Sequence, residues 1–133
     1  MANVEDYCKL HYANEVVEST VHGVTGGSDK TDYVHALHVR NQTHTFLFSL
    51  GLGPGIHGPG QYKIGVNDVF AYFNILDNKN GKVDKGGEIT AGDVELDAYD
   101  SGSSLIIRGT ASNLSGVDQP PFKGAEFRFN SDW

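Results

Sequence analysis

Two runs of strict alternation separated by a short break, Asp93 to Tyr99 and Ser104 to Thr110, constrain this chain more than any other feature of it. In the first, Val94, Leu96 and Ala98 alternate with Asp93, Glu95, Asp97 and Tyr99; in the second, Leu105, Ile107 and Gly109 alternate with Ser104, Ile106, Arg108 and Thr110. A period of two belongs to extended strands with one buried and one wet face. Between the runs, Asp100-Ser101-Gly102-Ser103 supplies the small, self-hydrogen-bonding residues of a hairpin loop. Pairing Tyr99 with Ser104 sets Leu96 opposite Ile107 on the core side and Glu95 opposite Arg108 on the solvent side. A slip of one residue would bring Leu96 against Arg108, so this register is the one expected.

The same reading extends along the chain. Strands are expected at Tyr7 to Ala13, Val16 to Val24, Asp32 to Arg40, Thr43 to Leu52, Gln61 to Ile64, Val69 to Ile75 and Lys123 to Asn130. In Thr43 to Leu52 the face carrying His44, Phe46, Phe48, Leu50 and Leu52 must be core. Thr25-Gly26-Gly27-Ser28-Asp29 reads as a loop, and Asp77-Asn78-Lys79-Asn80-Gly81 as a turn ending in the Asn-Gly pair that tight hairpins favour. Gly53-Pro54-Gly55 and Gly58-Pro59-Gly60 break the ladder twice and mark a crossover between sheets. With 17 glycines and no convincing helix, the expected fold is a single all-β domain of about eight or nine strands. An antiparallel β-sandwich is expected, with a small β-barrel as the alternative.

At 133 residues the chain is long enough for one domain with a real core. Its formal charge of -7 opposes binding to nucleic acid, and no stretch is long and apolar enough for a transmembrane segment. A single cysteine, Cys8, excludes an internal disulfide, and its place on one strand face with Leu10 and Tyr12 makes it a buried structural thiol. No apolar leader opens the chain. The expected location is therefore cytoplasmic, or secreted or cell-surface if an export signal has been removed.

Few residues carry chemistry. Asp93, Glu95 and Asp97 form an acidic ladder at strand spacing, roughly 6.5–7 Å between neighbours, and with Arg108 they are the candidate ligand-binding residues. Read alone, the ladder is a solvated strand face. Asp77 to Glu88 resembles a calcium loop only superficially, because Gly81 falls at the fifth place where the sixth is needed and Lys79 takes a ligand place. His22 and His35 can meet across strands, but with no thiolate or carboxylate at metal-ligand spacing no metal site is expected. No cofactor motif and no nucleophile elbow is present, so no catalytic residue is assigned.

Gly60-Gln61-Tyr62, Gly87-Glu88-Ile89-Thr90, Tyr99-Asp100, Ile107-Arg108-Gly109-Thr110 and Gly124-Ala125-Glu126-Phe127 fall in an order that resembles small, uncharacterised all-β domains of bacterial surface lipoproteins. The resemblance covers about the last two-thirds of the chain. Its departures are the missing lipid-attachment cysteine and Ala111-Ser112, where an apolar or aromatic pair is usual. The resemblance implies an all-β fold and a surface location, and no reaction. Three functions follow in order of expectation: a non-catalytic extracytoplasmic binding or structural module with a protein or carbohydrate partner, a self-assembling protein of a filament or virion, and a hydrolase on a β scaffold. The second would use Tyr7 to Ala13 as an exchangeable terminal strand that builds a homo-oligomer.

Overall fold

A computed structural model describes residues 6–24, 31–101 and 105–130. The described residues form ten strands and no helix: β1 (Tyr7–His11), β2 (Val16–Val24), β3 (Asp32–Val39), β4 (His44–Leu52), β5 (Gly60–Lys63), β6 (Val69–Asp77), β7 (Val83–Ile89), β8 (Ala91–Ser101), β9 (Leu105–Ser115) and β10 (Gly124–Asn130). They are hydrogen-bonded into one antiparallel sheet in the order β5-β8-β9-β10-β1-β2-β3-β4-β6-β7. This sheet curls into a half-barrel, so the expected two-sheet sandwich is not the architecture. The reason lies in β2. Its first residues pair with β1 (Cys8↔Ser19) and its last with β3 (His22↔His35), so the two sides of the core share this strand and belong to one sheet.

The strand missed by alternation is β7, Val83-Asp84-Lys85-Gly86-Gly87-Glu88-Ile89, at one edge of the sheet. It has one partner and little to bury, so its sequence carries charge and glycine in place of an apolar period, as edge strands often do. β1 is not an edge. It lies between β10 and β2 and is paired on both sides from Cys8 to His11, so it is not the exchangeable terminal strand that the self-assembling alternative would use. The Gly-Pro-Gly segment does cross over, carrying the chain from β4 to β5 at the opposite edge. It is anchored where the Gly55 amide donates to Asp68 Oδ2 at 2.8 Å. The Thr25 to Asp29 loop and residues 102–104 of the hairpin loop lie outside the described residues.

The hairpin register differs from the expected one. Leu96 lies opposite Gly109, Glu95 opposite Thr110 and Tyr99 opposite Ile107. A β-bulge between Leu96 and Ala98 leaves Asp97 without a partner, and a second irregularity follows Ala91. A bulge inserts one residue and reverses the facing of all that follow, which a strict period of two cannot anticipate. Gly109 permits this pairing, because a Cβ there would stand 2.2 Å from the Glu95 carbonyl oxygen.

The bulge turns Tyr99 inward, against the expected outward facing. Its hydroxyl donates to Asp32 Oδ2 at 2.6 Å, joining β8 to the start of β3 across the core. Asp32 is buried, and burial together with this carboxylate raises the Tyr99 pKa well above its usual value. Around the link, the inner faces supply Leu10, Val34, Phe48, Leu50, Phe73, Ile107 and Phe127, all 0–1% exposed. Phe48, Leu50 and Leu52 are core as expected, while His44 and Phe46 near the strand start are only half-buried. Phe122, from the segment before β10, meets Phe48 at 5.4 Å and Phe73 at 6.4 Å, edge to face. Cys8 is fully buried, and desolvation pushes its thiol up to about 12, which makes it inert as a nucleophile.

Removing the Tyr99 hydroxyl should therefore cost more than an ordinary surface change. Tyr99→Phe is expected to lower stability by about 1–3 kcal/mol, since it withdraws a donor from a buried carboxylate. Leu96→Ala is expected to cost about 2–5 kcal/mol, and Glu95→Ala under about 1 kcal/mol. Urea unfolding of the three variants checks this ranking.

Candidate functional site

Because the inner face is packed with apolar side chains, the polar chemistry stands on the outer face of the curl. On the β5-β8-β9 side two cross-strand rows run parallel: Lys63, Asp93 and Ser112, then Gln61, Glu95 and Thr110. Alternation sends these residues outward, and the twist between neighbouring strands hollows the surface into an open groove of about 430 Å³. A second recess of about 470 Å³ shares Thr110 and Ser112 with it and continues to His11, Asn113 and Glu126.

Most charges in the groove are already held. Lys63 Nζ donates to Asp93 Oδ1 at 2.8 Å, and Asn113 Nδ2 donates to Asp93 Oδ2 at 2.8 Å. These hydrogen bonds and the Lys63 charge hold the Asp93 carboxyl below the usual carboxylate range. Asn113 reaches Asp93 from a left-handed backbone, φ 55°, at the irregular stretch of β9. Next to them, His11 Nε2 lies 2.7 Å from Glu126 Oε2. The result is a strip in which Asp93 and Glu126 are held by hydrogen bonds beside the exposed side chains of Gln61, Glu95, Thr110 and Ser112.

The structure thus brings two of the four sequence candidates, Asp93 and Glu95, into one groove. Asp97 and Arg108 lie farther along, 4.0 Å from each other beside the bulge, and both are exposed. Arg108 does not face Glu95. The groove also holds Gln61, Lys63, Thr110 and Ser112, which sequence reasoning left out. Gln61 and Lys63 depend on β5 pairing with β8 across 30 residues of chain, as in the contact of Lys63 with Asp93, and Thr110 and Ser112 on the shifted register of β8 with β9. Among the described residues, no three His, Cys, Asp or Glu side chains converge as a metal cluster.

On the other side of the curl, His35 Nδ1 lies 2.7 Å from Ser49 Oγ. The pair superficially suggests a nucleophile and its base, but Ser49 is 0% exposed and no substrate carbonyl can reach it. Comparison with protein families, with curated proteins and with solved structures finds no match for this chain.

His35 also has a consequence for stability. Burial, and then the neighbouring His22, hold its pKa below the usual 6.5. The unfolded chain therefore binds a proton that the folded chain resists, so stability is intact above 6.5 and is lost as the pH falls through and below it. His38 behaves alike, through burial and then the Arg40 charge. His35→Asn is expected to flatten part of the fall in Tm between about pH 7 and pH 5, which thermal unfolding at several pH values would show. An unchanged slope would contradict it.

Proposed function

We propose that this domain is a non-catalytic, extracytoplasmic binding module, and that the groove on the outer face of β5, β8 and β9 takes a hydroxyl-rich, uncharged ligand of the glycan class. The observation that carries this reading is the pair of cross-strand rows, in which amide, ammonium and hydroxyl donors alternate with carboxylate acceptors on a rigid sheet. Successive strands place such groups about 4.8 Å apart, close to the separation of hydroxyls on neighbouring sugar units. Asp93 is paired with Lys63, which leaves the exposed Glu95 as the groove's one carboxylate without an ion pair among the described residues. The resemblance to surface lipoprotein domains supports an extracytoplasmic setting.

An array of neutral and acidic oligosaccharides, followed by calorimetry on the best binder, tests the proposal. The wild-type chain is expected to retain neutral glycans in preference to acidic ones. Ser112→Trp fills the groove from an exposed position and is expected to abolish binding, while Glu95→Gln weakens it about 10-fold, equivalent to about 1.4 kcal/mol. A blank array, or binding untouched by Ser112→Trp, contradicts the assignment.

A further inference from the structure

The other outer face, formed by β2, β3, β4, β6 and β7, carries one uninterrupted cross-strand row: His22, His35, Ser49, Tyr72 and Glu88 are successive partners. Within it the His35 ring is fixed in two ways. Its Nδ1 is held 2.7 Å from Ser49 Oγ on the β4 side, and its plane stacks on Tyr33 at 5.6 Å with 7° between the rings. In an imidazole the two nitrogens flank one carbon, and their in-plane bonding directions diverge widely. Anchoring Nδ1 toward β4 therefore turns Nε2 outward on the β2 side, where His22 stands as the direct partner.

We propose that His22 and His35 form a two-imidazole site for a borderline divalent transition-metal ion, with Cu²⁺ the best fit. Directly opposed residues of an antiparallel pair have Cβ atoms about 4.5–5.5 Å apart, within the span of two ring nitrogens bound to one ion at about 2.0–2.1 Å. Imidazole suits copper, nickel and zinc, and affinity peaks at copper. Ser49 supplies the supporting contact that metal-bound histidines usually have. Its hydroxyl can accept from Nδ1–H, and in that tautomer the Nε2 lone pair is open to an ion. Burial first and then the neighbouring His22 lower the His35 pKa, in keeping with the closeness of the two rings. Three other histidines are engaged elsewhere: His11 with Glu126, His38 with Tyr12 and His44 with Asp84. His22 is exposed, so the site is open to solvent, with water or a partner's donor completing the coordination.

The test uses the whole chain without a polyhistidine tag, titrated with Cu²⁺ and followed by calorimetry and electron paramagnetic resonance. One saturable equivalent is expected, with hyperfine splitting from two imidazole nitrogens. His22→Asn and His35→Asn should each remove that equivalent, and His57→Asn, at an exposed loop histidine, should leave it unchanged. Ser49→Ala should weaken the affinity by about 10-fold or more with the stoichiometry intact, the loss typical when a contact behind a ligand is removed. Melting curves before metal is added verify that each variant is folded. If His35→Asn does not fold, His22→Asn decides alone, because it changes an exposed side chain. Wild-type copper binding in His22→Asn, or the absence of a one-to-one saturable phase, overturns the site. Unchanged affinity in Ser49→Ala overturns the positioning role of Ser49.

Discussion

Strand β2 gives its first residues, Val16 to Ser19, to β1 and its last, Thr20 to Val24, to β3, so the two sides of the core are joined through one strand whose pairing changes sides between Ser19 and Thr20. A sheet of ten strands would expose too much apolar surface if it stayed flat, and a strongly twisted open sheet tends to curl. Here the curl brings the inner rows together. Phe127 and Leu10 on one side and Phe48 and Phe73 on the other are all but completely excluded from water. Phe122 fills the space between them, edge-on to Phe48, Phe73 and Tyr12. The contact of Tyr99 with Asp32 adds one buried polar link to an otherwise apolar centre. Such a link contributes modest net stability but specifies which way the two sides face each other.

Since the inner face is committed to packing, ligand chemistry falls to the outer one, and the two sides of the curl offer different surfaces. The β5-β8-β9 side has pre-paired charges and hydroxyls in an open groove, whereas the β2-β3-β4 side has ordered aromatic and imidazole rings. Both depend on register more than on composition. The pairing of Gln61 with Glu95, and of His22 with His35, is what converts scattered polar residues into rows.

Much of this was legible in the sequence. Alternation located nine of the ten strands, one of them, Val16–Val24, to the residue, and placed Cys8, Leu10 and Phe48 in the core. It failed where the backbone departs from a period of two. The bulge at Asp97 turns Tyr99 inward, and the hairpin pairs Tyr99 with Ile107 in place of Ser104, so that Leu96 meets Gly109; nothing in a binary pattern signals an inserted residue or the point where the loop closes. β7 was missed because an edge strand of glycines and charges has no buried face to reveal it. The single curled sheet was read as two, because sharing β2 is a property of long-range pairing and not of any local segment. The acidic ladder was visible as a motif, but its splitting between Lys63 at one end and the bulge at the other was not.

Native-state hydrogen exchange tests the central claim, that one continuous sheet makes one cooperative unit, most directly. If β2 carries the ladder across, the interior amides of β9 and β10 and those of β3 and β4 should exchange through the same global opening. They should then share one free energy and one denaturant dependence. Two groups of amides divided at β2, with different free energies and separate denaturant slopes, would mean that the halves open independently and would contradict the account.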